Sequence, residues 1–345
     1  MPPTQTLDPA LATRLAAARA GDHSEFSRLA EPHRRELQVH CYRLLGSLHD
    51  AEDLVQETLL RAWRRLDTFE GRASFRAWLY KIATNACFDA LDKRPRRALP
   101  PDMHPPADPA NPFEPPRLDP IWLEPLPDDL IADSGENPEA RYSARESVTL
   151  AFLAALQSLP PRQRAAVILC DVLDWRASEA ADCLALTVSA VNSALHRARA
   201  TLTRLYHGQG REVVRATYDS RTRDLLDRYV RAWEAADVDA LVGLIKEDAV
   251  FAMPPMPTWF HGREAIRLVL LSAPFAGDAR GRWRLISTRA NGAMAVALYQ
   301  RDEAGDGVYR GTGLQVLKAE GGAIAESIYF MDPKLLPLFG LPTQL

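Results

Sequence analysis

The stretch that decides the fold of this chain reads Asp50-Ala51-Glu52-Asp53-Leu54-Val55-Gln56-Glu57-Thr58-Leu59-Leu60-Arg61-Ala62-Trp63. At about 100° per residue its apolar positions share one face of a helix, and this core face carries Ala51, Leu54, Val55, Thr58, Leu59, Ala62 and Leu66. The opposite stripe carries Asp53, Gln56, Glu57, Leu60 and Arg64. A leucine ringed by polar groups suits a protein-binding patch, although periodicity alone favours a solvated face with one stray leucine.

A second helix is predicted from about residue 74 to residue 91. Its inward face carries Phe75, Trp78, Leu79, Ile82, Ala83 and Ala86, and its outward face carries Arg76, Tyr80, Lys81, Thr84 and Phe88. Exposed rings stack on unpaired bases while cations neutralise phosphate, and the preceding loop, residues 69–74, offers a place for a flipped base. The pattern indicates single-stranded nucleic acid binding, and the alternative is that Tyr80 and Phe88 pack on a neighbouring helix.

A third helical segment, residues 144–207, has helix-turn-helix spacing. Prolines 160–161 suit the first turn of a helix, a second helix follows around residues 178–184, and Thr187 is a good N-cap for a helix from residue 188 to about 205. The inward face of this last helix carries Val188, Val191, Leu195, Ala198 and Leu202. Its outward face carries Ser189, Asn192, Ser193, His196, Arg197 and Arg204. Such a face fits a recognition helix in a major groove, although small helical bundles share the spacing.

Length and composition point to a globular protein of several domains. The 345 residues suggest two or three domains, and an apolar content of 47% supports folded cores. The absence of an apolar run of about 18 residues or a secretion signal predicts neither a membrane span nor export. The four cysteines are Cys41, Cys87, Cys170 and Cys183, and none forms a Cys-x-x-Cys pair. We therefore expect them to be reduced core residues, and we expect no metal site, no cofactor and a cytoplasmic location.

The charge distribution separates a linker from its flanks. Residues 1–97 carry a net +3 and residues 141–215 a net +4, whereas residues 98–140 carry −9 and hold 12 of the 26 prolines. Basic helical segments permit nucleic acid binding, and the acidic, proline-rich segment 98–143 is predicted to be a semi-extended linker. Its apolar patch, residues 121–131, is predicted to dock on a folded surface through Trp122 and Leu123.

The first helical segment resembles sigma region 2. The resemblance covers residues 22–97 and rests on the motif at 50–57, the loop and helix start at 69–79, and Asn85-Ala86-Cys87-Phe88-Asp89. It implies that the Asp53, Gln56, Glu57, Leu60 and Arg64 face docks on the β′ clamp helices of core RNA polymerase. It further implies that the promoter −10 element is melted and read by Arg72, Ser74, Arg76, Tyr80, Lys81, Thr84, Asn85 and Phe88, with phosphates contacted by Arg94, Arg96 and Arg97.

Residues 144–207 resemble sigma region 4, which implies −35 recognition and contact with the polymerase β flap. The matching residues are Leu159-Pro160, Arg162-Gln163-Arg164, Glu179, Ala181, Leu184, Val188, Val191, Leu195 and Arg197-Ala198-Arg199. The implied DNA contacts are Thr187, Ser189, Asn192, Ser193, His196 and Arg197. Family members usually carry a basic residue at Asn192 and often one at Ala194, and a glycine where Asp174-Trp175 stand here. The lack of region 1.1 and of a full region 3 indicates the extracytoplasmic-function group.

Beyond about residue 222 two helical patterns give way to β-type alternation, which predicts an α+β domain. Residues 222–342 resemble the SnoaL-like branch of the cone-shaped folds related to nuclear transport factor 2 (NTF2-like). The motifs that carry this resemblance are residues 225–233, 236–241, 248–255 and 261–266. The resemblance implies an apolar pocket for a small hydrophobic ligand. The candidate lining residues are Tyr229, Trp233, Phe251, Met253, Trp259, His261, Tyr299 and Phe330. For most of them the simpler alternative is that they are plain core.

The fold class predicted for the chain is multidomain: two all-α sigma domains followed by a C-terminal α+β cone. The expected function is that of a non-enzymatic sigma factor regulated by its fused C-terminal domain, with the linker resembling that of sigma factors that carry such an extension. One alternative is a helix-turn-helix regulator that binds duplex DNA alone. Another is a C-terminal isomerase or cyclase with a DNA-binding tether, but its only polar candidates, His261 and Asp332, have no partner that the sequence identifies.

Overall fold

The structure is a computed structural model that describes residues 9–93, 95–111, 113–117, 122–131, 146–207, 220–302 and 307–345. The chain forms two compact units. The helical unit contains residues 1–97 and 151–210, and the mixed unit contains residues 98–150 and 211–345. Each unit therefore combines two separate stretches of the chain, and the linker belongs to the mixed unit.

The described part of the helical unit is built from α1 (Pro9–Arg19), α2 (His23–Leu45), α3 (Leu48–Arg64), α4 (Phe75–Leu91), α5 (Leu150–Gln157), α6 (Pro161–Val167), α7 (Ala177–Leu184) and α8 (Val188–His207). Side chains at the helix ends explain the boundaries. Ser47 and Ser74 accept hydrogen bonds from the first turns of α3 and α4, and Gly46 ends α2 with a left-handed φ of 71°. Helices α2, α3 and α4 pack together, and α7 lies against both α4 and α8.

The mixed unit is built on a six-stranded sheet in the order β2-β1-β6-β5-β4-β3. Its strands are β1 (Ile245–Ala252), β2 (Trp259–His261), β3 (Trp283–Ala290), β4 (Ala293–Arg301), β5 (Tyr309–Glu320) and β6 (Ala323–Phe330). Only β1 and β6 pair in parallel among these strands. The helices are α9 (Ser220–Glu234), α10 (Val238–Gly243), α11 (Arg263–Ser272) and α12 (Leu335–Leu338).

The core of the mixed unit lies between α9, α10, α11 and one face of the sheet, where Leu226, Trp233, Phe260, Val269 and Leu298 are buried together. Strands β3 and β4 are joined by the two-residue turn Asn291-Gly292, in which both residues have positive φ (55° and 74°). An Asn-Gly pair suits such a turn because both residues tolerate the left-handed region. The helical segments and the α+β domain confirm the predicted fold class.

Candidate nucleic-acid and protein interfaces

One face of α3 is exposed and carries the residues predicted to bind protein. Asp53, Gln56 and Arg64 are exposed, and Leu60 keeps 51% of its surface accessible. Glu57 is half-buried, and its carboxylate accepts a hydrogen bond of 2.7 Å from Arg61, one turn further along the helix. Leu60 is therefore an apolar side chain in a polar surround, and a protein partner gains most by desolvating such a group at the centre of an interface.

The loop before α4 and part of the outer face of α4 present polar groups to solvent. Arg72, Ser74, Lys81 and Asn85 are exposed, and Phe88 is half-buried. The hydroxyl of Ser74 accepts a hydrogen bond of 3.1 Å from the backbone N–H of Ala77, which fixes the start of the helix. Arg72, Ser74, Lys81 and Asn85 are therefore accessible from solvent.

Two residues on the predicted outward face of α4 are instead fully buried, so their predicted exposure was wrong. Tyr80 lies under Trp175, with ring centroids 5.3 Å apart, and the hydroxyl of Thr84 lies 3.9 Å from the sulfur of Cys183. Both covering residues come from the second helical segment, residues 144–207. For Tyr80 the alternative interpretation, packing on a neighbouring helix, describes its environment.

A hydrogen-bonded cluster holds Tyr80 and Arg76 in place. Arg76 donates to the carboxylate of Glu36 at 2.7 Å and to the hydroxyl of Tyr80 at 3.3 Å, and Tyr80 donates to Glu36 at 3.2 Å. Burial raises the pKa of the Tyr80 hydroxyl, and the Glu36 charge adds to this effect. Burial also opposes ionisation of Glu36, but the hydrogen bond from His33 and the charge of Arg76 outweigh it and lower the pKa of that carboxyl.

A fully buried histidine lies beneath this cluster. The Nε2 atom of His40 lies 2.9 Å from the hydroxyl of Thr84, and that hydroxyl donates to the backbone carbonyl of Tyr80 at 2.7 Å. Burial lowers the pKa of His40 to about 3, and the nearby charge of Arg43 acts in the same direction. His40 is therefore neutral at physiological pH.

The three arginines predicted to touch phosphates differ in their placement. Arg97 is buried and pairs with Asp50 across 2.7 Å, so its predicted role as a free phosphate contact was wrong. The carboxylate at the start of α3 draws this guanidinium into the fold, because a buried cation needs a partner. Arg96 is exposed, and Arg94 lies outside the described residues.

Helix α8 presents the predicted recognition face to solvent. Thr187 caps the helix by accepting a hydrogen bond of 3.2 Å from Ala190, and the exposed positions that follow are Ser189, Asn192, Ser193, His196 and Arg197. Val188 was predicted to face inward, but 45% of its surface is exposed. It lies in the first turn of the helix, and the buried contacts of this stripe begin at Val191.

Arg164 is a buried residue for which the sequence suggested no more than a family match. Its guanidinium donates to the backbone carbonyl of Leu44 at the end of α2, to both the side chain and the backbone of Gln157, and to the carbonyl of Leu159. Burial lowers its pKa to about 10. Arg164 therefore joins the second helical segment to the first by satisfying carbonyls from both.

The linker residues predicted to dock are buried within the mixed unit. Trp122 is 7% exposed and forms a parallel bridge with Ala98, whose carbonyl accepts a hydrogen bond of 3.0 Å from the N–H of Leu123. Leu123 and Leu126 are fully buried. Ile121, in the same predicted patch, lies outside the described residues.

The turn between β3 and β4 contacts the linker at two places. Asp128 accepts hydrogen bonds from Arg289 at 2.8 Å and from the backbone N–H of Gly292 at 2.7 Å. The side chain of Asn291 accepts from the N–H of Leu126 at 2.8 Å and donates to the carbonyl of Val148 at 2.6 Å. One turn of the C-terminal domain therefore binds the linker and the chain just before α5, a role that no local sequence pattern predicts.

The upstream part of the linker lies along β2. The indole N–H of Trp259 donates to the carbonyl of His104 at 2.7 Å, and the carbonyl of Trp259 accepts from the N–H of Ala107 at 2.8 Å. The ring of Phe113 meets that of Phe260 edge to face at 5.8 Å. Trp259 was predicted to line an internal pocket, and that prediction was wrong, because Trp259 contacts the linker instead.

The interior of the cone holds a small cavity. Of the predicted pocket residues, Tyr229, Trp233 and Phe251 line it, and Tyr229, Gln315 and Ser327 form a buried hydrogen-bonded chain of 2.8 and 2.6 Å. The free volume is about 20 Å³, which holds about one water molecule. The indole nitrogen of Trp233 has no hydrogen-bond partner among the described residues.

Other predicted pocket residues lie elsewhere in the mixed unit. His261 is exposed, and Met253 and Phe330 are buried but do not line the cavity. Tyr299 alternates with Leu298 along β4 and therefore points to the opposite face of the sheet. There its hydroxyl donates to the carbonyl of Pro342 at 2.9 Å. Met253 and Phe330 therefore fit the alternative of plain core. For Tyr299 the pocket prediction was wrong because alternation along a strand does not tell which face the helices cover.

Three families match separate parts of the chain. Sigma-70 region 2 matches residues 29–97, Sigma-70 region 4 matches residues 149–202, and the SnoaL-like domain matches residues 226–327. The ECF RNA polymerase sigma factor SigG of Mycobacterium tuberculosis (strain CDC 1551 / Oshkosh) is 46% identical over 331 residues, covering 96% of this chain and 86% of the relative. This chain belongs to the ECF RNA polymerase sigma factors. Members of this family are transcription initiation factors and not catalysts.

Further relatives of this sigma factor share its parts. The ECF sigma factor SigJ of Mycobacterium tuberculosis (strain ATCC 25618 / H37Rv) is 29% identical over 66% of this chain and 63% of the relative. The crystal structure of SigJ from the same species matches with a TM-score of 0.56 at 22% identity, covering 91% of this chain and 98% of that one. At this identity the match supports the fold. Among the described residues, no helix is both long and apolar enough to cross a membrane.

Proposed function

We propose that this sigma factor binds core RNA polymerase through the exposed face of α3 and directs it to promoters through α4 and α8. The observation that carries the proposal is the exposed Leu60 ringed by Asp53, Gln56 and Arg64 on a helix whose other face is buried. A helix-turn-helix regulator that binds duplex DNA alone has no use for such a surface. The clamp helices of the polymerase β′ subunit are the partner that the family implies.

We also propose how DNA is read. The exposed face of α8 lies on the −35 duplex, where short polar side chains such as Ser189 and Asn192 reach base edges and Arg197 contacts phosphate. The exposed Arg72, Lys81 and Asn85 contact the unpaired −10 strand. The β flap is the second polymerase contact, as in the resemblance to region 4.

We infer that the C-terminal domain regulates initiation by holding the linker. Two roles were open for this domain, a sensor of a small hydrophobic ligand and a binding surface for the linker. A cavity of about 20 Å³ is too small for such a ligand unless the cone expands, whereas Trp122, Leu126 and Asp128 already have buried contacts within the mixed unit. Linker binding is therefore the role that the geometry favours.

The restraint has a simple physical consequence for promoter binding. Residues 98–150, if released, span up to about 180 Å at about 3.4 Å per residue. While the linker is bound, it cannot extend in this way, and the distance that the two DNA-binding segments on either side of it can move apart is restricted. We propose that binding of the linker keeps initiation low and that its release raises it.

Core binding tests the α3 surface. Purified core polymerase is titrated with wild type, with Asp53→Ala/Leu60→Ala, and with the control Glu264→Ala/Leu268→Ala, whose Leu268 on α11 is also 51% exposed. We expect the first double variant to bind at least about 30-fold more weakly, as the loss of a central interface residue predicts, and the control to bind like wild type. Equal affinity of all three proteins would contradict the proposed surface.

A further inference from the structure

The turn before α7 departs from the family pattern at two residues. Asp174-Trp175 stand where the resemblance to region 4 leads one to expect a glycine, and Asp174 has a left-handed backbone with φ of 55°. Non-glycine residues adopt this region at a cost. The backbone N–H of Trp175 donates to the carbonyl of Leu169 at 3.0 Å, which fixes the main chain at this residue.

The ring of Trp175 lies on the surface of α4. Its centroid is 5.3 Å from that of Tyr80, with 51° between the ring planes. The guanidinium of Arg76 lies 4.8 Å from the centroid of Tyr80 and 5.9 Å from that of Trp175. Trp175 is therefore in contact with an aromatic ring and next to an arginine at the same time.

An aromatic ring beside an arginine is also what an unpaired nucleobase contacts on a protein, and here the indole meets Tyr80 at a 51° tilt and not in a parallel stack. Single-stranded nucleic acid binds where bases stack on aromatic side chains beside arginine, and an indole is a flat, fused two-ring system like a purine. Arg76 and Tyr80 both belong to the set that the family resemblance assigns to the −10 strand. The covering extends along α4, because Cys183 of α7 lies 3.9 Å from Thr84, and Tyr80 and Thr84 are fully buried.

We propose that Trp175 takes the place of an unpaired promoter base on the Arg76–Tyr80 surface, so that the second helical segment competes with single-stranded DNA for the first. The proposal rests on the proposed function, because it requires that α4 binds single-stranded DNA. The covered arrangement excludes the strand, and the apparent affinity for DNA falls by the fraction of molecules in which the surface is open. Any contact present only in the covered arrangement therefore weakens DNA binding.

A reversible disulfide tests whether α4 must separate from α7. Full-length Thr84→Cys places a thiol next to the native Cys183, and diamide oxidises the two thiols to a disulfide while it is itself reduced to the hydrazine. Binding of a fluorescein-labelled 12-nucleotide single-stranded DNA of random sequence is followed by anisotropy. We expect the oxidised variant to lose binding by at least tenfold and dithiothreitol to restore it, with no such change in diamide-treated wild type. Absence of the disulfide, or unchanged binding once it has formed, would overturn the proposal.

Two substitutions of Trp175 test the ring itself. Trp175→Ala removes the contact with Tyr80 and Arg76, and we expect roughly tenfold tighter binding of the same DNA, whereas Trp175→Phe retains an aromatic ring and stays within about twofold of wild type. Equal binding by wild type and both folded variants overturns the proposal while leaving the proposed function intact. If no form of the protein binds the DNA even at low salt, the proposed role of α4 fails together with the proposal.

Discussion

The side-chain oxygen of Asn291 accepts a hydrogen bond of 2.8 Å from the backbone N–H of Leu126. The backbone N–H of Asn291 in turn donates to the carbonyl of Leu126 at 2.9 Å, and its side-chain NH₂ donates to the carbonyl of Val148 at 2.6 Å. A single turn residue, 2% exposed, thus binds the chain at two points that enclose residues 127–147. We define this arrangement as the Asn291 clamp.

Asn291→Gly is expected to open the clamp. Glycine keeps the positive φ of the turn but removes both side-chain hydrogen bonds, and each buried group left unsatisfied costs about 1–3 kcal/mol. We expect faster amide hydrogen exchange in residues 122–131 and 146–150 and a several-fold increase in run-off transcription. Asn291→Asp retains the acceptor for Leu126 but sets a buried carboxylate oxygen against the carbonyl of Val148, so its effect should be at least as large. Unchanged exchange in both segments would contradict the clamp.

Trp122→Ala is expected to release the linker from its binding surface. Replacing a buried tryptophan by alanine costs about 3–5 kcal/mol when its site cannot collapse. We expect this loss to exceed the binding free energy that holds a short docked segment in place. Limited proteolysis should then cleave within residues 98–131 faster than in wild type. Met103→Ala, a change at a position of the same linker that is 44% exposed, is the control and should leave cleavage unchanged. Equal cleavage of both variants would argue against docking through Trp122.

Arg164→Met is expected to destabilise the helical unit. The substitution leaves the carbonyl of Leu44 and the groups of Gln157 and Leu159 without their donor, and each buried group left unsatisfied costs about 1–3 kcal/mol. Thermal unfolding followed by circular dichroism should show a lower Tm. Arg162→Met, an exposed position two residues earlier, is the matched control. A Tm equal to that of the control would show that the Arg164 hydrogen bonds do not hold the helices together.

Acid is expected to weaken the helical unit through His40. The pKa of this histidine is lowered to about 3 in the fold and returns to about 6.5 on unfolding. Unfolding therefore takes up a proton between these values, and the free energy of unfolding falls by about 1.4 kcal/mol per pH unit as pH decreases from 6.5 towards 3. Denaturant titrations of wild type and His40→Gln across this range measure the difference in slope. Parallel curves for the two proteins would contradict a neutral buried His40.

The sequence predicted surfaces well where a single helix decides them. The exposed faces of α3 and α8 follow from periods of 3.6 residues, and Leu60 and Asn192 lie where that period places them. It failed for Tyr80 and Thr84 because their covering residues, Trp175 and Cys183, come about 95 and 99 positions later in the chain. Helical periodicity identifies a polar face but carries no information on which distant segment packs against it.

The contacts of the linker show the same limit. Composition identified residues 98–143 as a linker and its apolar patch as a docking segment. It did not identify Asn291, because an Asn-Gly pair is explained completely by the turn that it forms. The role of Asn291 in binding Leu126 depends on a partner 165 residues away, and no local pattern reports such a pairing. The same reason explains why Arg97 was taken for a phosphate contact when it pairs with Asp50.

Run-off transcription with purified core polymerase on a promoter pool tests the central claim most directly. Wild type and the control Glu264→Ala/Leu268→Ala should yield promoter-specific RNA, and Asp53→Ala/Leu60→Ala should yield none above the level of core polymerase alone. That result would establish promoter-directed initiation that depends on the exposed face of α3. Equal RNA from wild type and Asp53→Ala/Leu60→Ala, or no specific RNA from wild type and from Asn291→Gly alike, would contradict the account.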